Sequence, residues 1–502
     1  MIRRLCHELL QVYYARSEKT FRRSLGSLEA IQRKKLADII TSLQNTTEWK
    51  HLSASLSYEE LSKSVSVKSY QDYAALIERQ RANGENIISS EVVRYEPTSG
   101  STDQRKWIPY TRVFLNEINQ AAQVWLGDLY KRIPAIKSGT HYWSLSWLPQ
   151  ELRGLTNSND ADLFPAYQRW ILNQLMAVPS EIATLQSSEA AWWATLLYLA
   201  AQKDLSLVSV WSPTFWLKVS EDIQNNWSEI CSALHNGEWN KFSTELAAHL
   251  GKAPVRDVTD LNPDDSEFFV KLWPKLQLLS SWDSSSSALW ADKLKSRFPN
   301  VNFQGKGLWA TEGVVTIPYQ KQKCLAFHSH FFEFRNLATG NIVPAWQLQK
   351  GEEYQPILWT SSGLLRYPLQ DRLRVTGFLQ SVPCFEFVSR LRSVDLVGEK
   401  MDAAWVQDLF ANHPEWQAVS LVGVRLPKPQ YILFGQNVAN VDIEKSLLKV
   451  HHYQVARQLG QLQPAKAVEV QDIFNFLKQF GSSRLAGQNK IEVLFSIDAL
   501  SD

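Results

Sequence analysis

Thr98-Ser99-Gly100-Ser101-Thr102-Asp103-Gln104-Arg105-Lys106 is the stretch on which the reading of this chain turns. Small hydroxyl residues around a glycine let backbone N–H groups and side-chain hydroxyls come close to phosphate oxygens. A lysine at the exit adds a point charge for them. The spacing is not that of the GxxxxGK[ST] loop, and alone it is equally a Ser/Thr turn. Its surroundings matter. Val92-Val93-Arg94-Tyr95 reads as a short strand entering the turn. Trp107-Ile108-Pro109 reads as a strand leaving it, followed by a helix from about 111 to 132.

Two distant segments carry matching chemistry. Residues 309–313 read Trp-Ala-Thr-Glu-Gly. A carboxylate beside a hydroxyl at a strand end suits magnesium near phosphates, because magnesium takes oxygen ligands and few of them from protein. A capping Thr/Glu pair is the plainer alternative. Residues 364–371 read Leu-Leu-Arg-Tyr-Pro-Leu-Gln-Asp. The aspartate follows a strand, and one carboxylate accepts hydrogen bonds from two ribose hydroxyls. A turn aspartate is the alternative there.

Together the three segments resemble the adenylate-forming superfamily, whose phosphate loop commonly reads TSGSTGxPK. Residues 98–106 match it in length, with Asp103 and Arg105 as departures. Thr311-Glu312 matches its Thr-Glu motif and Asp371 its ribose-binding aspartate. Within that superfamily the chain is most similar to the plant auxin-responsive acyl-acid amido synthetases. Leu364–Phe378 (LLRYPLQDRLRVTGF) resembles that family's LYRYRVGDVLRVTGF stretch, and Phe385-Glu386-Phe387-Val388-Ser389-Arg390 its FxFVxR strand. Phe331-Phe332-Glu333-Phe334 resembles its YFEF strand, and Gly481-Ser482-Ser483 through Lys490 its GxSxxQYK motif. The likeness runs from about residue 40 to 495 with the motifs in order.

The resemblance implies a ligase that activates a carboxylic acid with ATP and passes the acyl group to an amine, an amino acid above all. It assigns phosphate contacts to Thr98, Ser99, Gly100, Ser101 and Thr102. It places Thr311 on the nucleotide, Glu312 on Mg2+ and Asp371 on the ribose, and puts Arg390 where a hinge begins. Lys106 assists, and Lys490 reaches the reacting carboxylate and α-phosphate as the C-terminal domain closes. Asp103 brings negative charge towards triphosphate, although Asp adopts the left-handed turn better than most residues. Pro368 and Gln370 replace the family's arginine and glycine before Asp371. A thiol acceptor in place of the amine, and a non-catalytic nucleotide or metabolite binder, stay open as alternatives.

Bulk properties agree with a globular enzyme. The chain has 502 residues, long enough for two domains. Lys and Arg number 53 against 51 Asp and Glu, so bulk charge announces neither a nucleic acid nor a membrane partner. Cys6, Cys231, Cys324 and Cys384 are scattered without a CxxC pair, which argues against a disulfide framework or structural zinc and for a reducing, cytoplasmic setting. Residues 1–19 read as an amphipathic helix and not a signal peptide. No apolar run is long enough for a transmembrane helix.

The expected fold class is α/β: a large N-terminal adenylation domain, 1–390, with mixed sheets flanked by helices, and a small α+β C-terminal domain, 391–502. The tail reads strand 384–390, helix 402–412, strands 416–424 and 429–434, helix 441–458 and strand 465–470, a ferredoxin-like βαββαβ order. A helix near 471–480 and a strand at 491–495 follow. In the middle, 166–255 reads as mostly helical, 276–279 as a buried strand, and a Ser-rich turn leads to a helix ending near 297. Strands are expected near 307–317, 324–334 and 355–359. Gly305–Ala310 fits GxGxxA, but it runs into a strand and not a helix, so it is no dinucleotide fingerprint. His328 and His330 would share one strand face, with packing favoured over metal binding. The twenty tryptophans fit an aromatic core. Val124-Trp125, Trp143 and Val208–Leu217 are candidates for an acyl pocket, with a helix–helix core contact favoured.

Overall fold

The structure is a computed structural model that describes residues 2–97, 106–143, 166–284, 287–391, 393–471 and 493–498. Residues 98–105 and Lys490 lie outside these ranges, as do 144–165 and the expected helix near 471–480.

Helices dominate the first ninety residues. Ile2–Arg23 is amphipathic, burying Cys6, His7, Leu10 and Phe21. Tyr58–Ser64 starts at a capping box in which Ser57 and Glu60 satisfy each other's backbone N–H groups. Val92–Pro97 and Trp107–Thr111 pair antiparallel, so the hydroxyl-rich stretch connects two adjacent strands. Helix Arg112–Arg132 follows, capped by Thr111 Oγ1. Among the described residues no helix is long and apolar enough to cross a membrane.

Two sheets carry the N-terminal part. One is a four-stranded parallel sheet, ordered Thr140–Trp143, Leu205–Ser209, Leu278–Ser281 and Asn302–Gly305. The two middle strands are buried along their whole length, as parallel strands covered by helices on both faces must be. The other is an eight-stranded antiparallel sheet built from residues 316–390. The expected strand at 324–334 is two strands, Gln322–Leu325 and Phe331–Asn336. His328 and His330 therefore lie in the turn between them and share no strand face. Each is tied off as a packing residue, His328 Nε2 with Ser24 Oγ at 2.7 Å and His330 Nδ1 with Glu117 at 3.0 Å.

The C-terminal part has its own core around Leu396, Met401, Leu421, Tyr431, Leu447 and Tyr453. Its sheet is ordered Gln463–Glu469, Gln430–Gln436, Gln417–Val424 and Leu494–Ile497. Strand 384–390, counted above as the first of the βαββαβ series, is not in it. It forms part of Val382–Arg390, which pairs with Asp371–Leu379 in the eight-stranded sheet. Only Gln380 and Ser381 separate those two strands, with Gln380 at φ +54°. A tight hairpin of this kind closes locally and commits the strand to its neighbour. The expected helix 441–458 is likewise two, Ile443–Leu447 and His451–Gln458. Val450 between them is extended and buried, so that Leu447, Val450, Tyr453 and Ala456 all reach one core.

Candidate functional site

A cavity of about 310 Å³ lies where these parts meet, and Lys106, Thr311, Glu312, Asp371 and Arg390 all line it. Five of the residues singled out by sequence thus come from four separate segments to one space. Thr98 to Thr102 and Lys490 lie outside the described residues. The C-terminal part adds Lys400 and Arg425 to the wall.

Thr311 and Glu312 form the two-residue tip of a hairpin between Trp309–Ala310 and Gly313–Val314. Several contacts hold that tip. Tyr110 donates its hydroxyl to the Thr311 carbonyl at 2.9 Å. The Val314 N–H donates to His330 Nε2 at 3.1 Å, and His330 Nδ1 meets the Glu117 carboxylate. With Nε2 accepting, the ring proton sits on Nδ1 and points at Glu117. Gly313, at φ +155°, passes so close to Leu358 and His330 that a Cβ there would fall within 3 Å of both. The hairpin is therefore fixed from beneath while Glu312 faces the cavity. There Tyr367 donates its hydroxyl to Glu312 at 3.3 Å. Burial, reinforced by that carboxylate, raises the Tyr367 pKa well above its ordinary value, so Tyr367 remains a donor.

Asp371 opens one strand and Arg390 ends its neighbour, which puts them in register. Arg390 Nε donates to Asp371 Oδ1 at 3.2 Å. Burial works against the charge on Arg390, but Asp371 and Glu312 outweigh it and raise its pKa. Leu391 N–H then bonds the Gln370 carbonyl at 2.8 Å, fixing the point where the chain leaves the sheet. Lys400 is half-buried over the Trp282 ring, 5.3 Å from its centroid. Burial and the charge of Arg390 lower its pKa, with Asp395, Asp371 and Glu312 opposing. Its neighbour Glu399 accepts from the N–H groups of Leu396 and Val397 at 2.7 and 2.8 Å and from the Tyr431 hydroxyl, which locks the turn carrying Lys400. Lys106 lies 5.7 Å from the Tyr70 ring centroid, and Tyr70 in turn accepts from Trp107 N–H.

Sequence reasoning missed Lys400, Arg425, Tyr367 and Lys306. Tyr367 lay within a quoted motif, four residues before Asp371, and could have been found there. No local pattern marks the lysines. Lys306 is buried on the cavity wall among Trp125, Trp143 and Trp211, so three tryptophans of the segments singled out for an acyl pocket surround a residue that lines the cavity.

For a metal, the described residues contain no cluster of three His, Cys, Asp or Glu side chains. Glu312, Asp371, Asp395 and Asp402 line the space without forming such a cluster, and Asp371 is already engaged by Arg390. That donor set fits magnesium held largely by a substrate's phosphates and water, not an all-protein site.

Comparison with known proteins bears on this geometry. The model of the GH3 family N-terminal domain matches residues 18–303, and that of the GH3 family central domain matches 323–390. An indole-3-acetic acid-amido synthetase, GH3.15 of Arabidopsis thaliana, is 23% identical over 408 residues, covering 72% of this chain and 67% of its own. The 4-substituted benzoates-glutamate ligase GH3.12 of the same plant is 23% identical over 412 residues, 74% and 71% of the two chains. Among solved structures, the GH3.15 acyl acid amido synthetase in complex with 2,4-DB aligns with a TM-score of 0.65 at 18% identity, over 96% of this chain and 94% of that one. At that identity the likeness establishes a shared fold.

Proposed function

The chain belongs to the GH3 family, and from that premise we propose that it is an ATP-dependent acyl-acid amido synthetase, a ligase forming a carbon–nitrogen bond through an acyl-adenylate. The observation that carries the reading is the convergence of Lys106, Thr311, Glu312, Asp371 and Arg390 on one cavity.

In the first half-reaction a carboxylate oxygen of the acid bonds to the α-phosphorus of ATP, and the bond to the bridging oxygen breaks as pyrophosphate leaves. In the second, the amine nitrogen of an amino acid attacks the acyl carbon. AMP departs with the bonding electrons and the nitrogen gives up a proton. Positioning and charge stabilisation supply much of the rate in such chemistry. Asp371, steadied by Arg390, accepts hydrogen bonds from the ribose hydroxyls. Thr311 touches the nucleotide. Glu312 would hold Mg2+, which would neutralise phosphate charge when bound. Lys106 lies one residue past the undescribed stretch 98–105, whose Thr98 to Thr102 we assign to the phosphates. Lys490 we assign to the reacting carboxylate and α-phosphate, with 391–502 as a mobile domain. Closure of such a domain keeps water from the mixed anhydride. A cytoplasmic location agrees with four free cysteines.

The test is acid-dependent ATP–pyrophosphate exchange over a panel of carboxylic acids, followed by product mass spectrometry with amino acids and with thiols. Exchange that yields an acyl–amino acid amide supports the reading. ATP binding with no exchange across the panel, or an acyl thioester as the sole product, overturns it.

A further inference from the structure

The ends of three parallel strands bring Ser209, Ser280 and Gln304 into register, with Trp143 continuing the row on the fourth strand. Carboxyl ends of parallel strands are where α/β sheets hold ligands. All three polar residues are buried, Gln304 at 9% exposure. Trp125 donates its indole N–H to Gln304 Oε1 at 2.8 Å, while Gln304 Nε2 and Ser280 Oγ have no hydrogen-bond partner among the described residues. Two residues beyond Gln304, and so on the same side of the chain, Lys306 sends its ammonium to Ser209 Oγ at 2.7 Å. The same ammonium stands 4.6 Å from the Trp211 ring centroid and 4.9 Å from that of Trp125.

We propose that Lys306 is a specificity-determining residue that takes a second anionic group of the acid substrate, remote from the carboxylate being activated. The inference rests on the reading of the cavity as an acid-adenylating site. A buried ammonium ordinarily faces a carboxylate, yet among the described residues Lys306 forms no ion pair. The nearby acid, Asp283, packs against Gly305 and is paired with Lys323. Burial lowers its pKa to about 7, and among the described residues it pairs with none of the charged groups around Asp371. Those groups include cations enough for the reacting carboxylate: Lys106, Arg390, Lys400 and Arg425 line the cavity as well. Lys306 is thus a separate positive site, with two unsatisfied donors on the sheet beside it and an aromatic surround that suits a flat ring. An aromatic or similarly flat diacid satisfies both ends, whereas an apolar monoacid leaves the ammonium without a counter-charge.

Calorimetry on the full-length chain tests this with benzoate and phenylacetate against the benzenedicarboxylates and phenylenediacetates. The expected result is at least one diacid bound about tenfold or more tighter than its monoacid. Lys306→Met should erase that preference and Lys306→Arg should keep much of it. The preference should also fade as pH rises from 6 to 8.5, since the neutral amine offers no charge. Equal binding of all diacids and monoacids by the unaltered chain overturns the proposal without reference to any variant. So does an equal loss of both classes in Lys306→Met, which would assign Lys306 to the reacting carboxylate or to packing. Pyrophosphate exchange separates the two ideas. Diacid preference without exchange sinks the ligase reading alone, and exchange with monoacids but no preference sinks this inference alone.

Discussion

Glu333 receives both arms of Arg366: Nε donates to Oε2 at 2.8 Å and Nη2 to Oε1 at 2.9 Å. The carboxylate is fully buried and also accepts from the Tyr58 hydroxyl and the Trp359 indole. Arg366 reaches on to the carbonyls of Ser62 and Val65. One acid thus joins the antiparallel sheet to the N-terminal helices and holds the segment that leads to Asp371. Glu333→Ala leaves the largely covered Arg366 guanidinium, 11% exposed, without its counter-ion, and the expected loss is about 3–5 kcal/mol. Chemical denaturation measures it; a loss under about 1 kcal/mol would show the network to be dispensable.

Asp371→Asn keeps the shape of the side chain but gives up its charge and half its acceptor capacity. The KM for ATP should rise by about tenfold or more, with a smaller change in the KM for the acid. Steady-state kinetics at varied ATP decides this. Equal effects on both substrates would remove Asp371 from the ribose.

Glu312→Gln should lower exchange by about a hundredfold and move the magnesium optimum upward, while leaving the unfolding midpoint nearly unchanged. Among the described residues its one hydrogen-bond partner is the Tyr367 hydroxyl, which an amide oxygen also satisfies. Activity within about twofold of the parent across a magnesium titration would strip Glu312 of its assigned role.

Lys306 titrates near 7 in the folded chain and near 10.5 when unfolded, because burial disfavours its charge. Between those values the unfolded state binds more protons, so stability rises with pH across the window. Lys306→Met has nothing to titrate. The variant should be more stable than the parent at pH 7, with the gap narrowing by pH 9. Denaturation midpoints at the two pH values check it, and a constant gap would contradict the lowered pKa.

Lys490→Ala should abolish exchange while nucleotide binding, read by calorimetry, stays within about threefold. Retained exchange would transfer the role to a lysine already on the wall, Lys106 or Lys400.

Much of the fold was legible because its signals are local. The helix 112–132, the buried strand before the Ser-rich turn and the tail strands near 416–424, 429–434 and 465–470 follow from periodicity and turn residues within a few positions. The errors arose where pairing decided. Val382–Arg390 reads as a strand in either setting, and only its two-residue hairpin with Asp371–Leu379 assigns it to the larger sheet. Residues 324–334 read as one apolar strand, but the turn through His328 and His330 splits it, because Ser24 and Glu117 hold those rings from other elements.

Taken alone, the order of residues determined which short stretches bear chemistry: a hydroxyl-rich turn, a Thr-Glu pair and an aspartate after a strand, each recognisable from neighbours in the chain. Tertiary structure alone decided that Lys106, Thr311, Glu312, Asp371 and Arg390 share one cavity, and that Lys306 and Lys400 join them. A lysine's function depends on what excludes water and which charges surround it. For Lys306 those surroundings come from strands and helices up to about 180 residues away, as in the Trp125–Gln304 bond, and no local pattern encodes them.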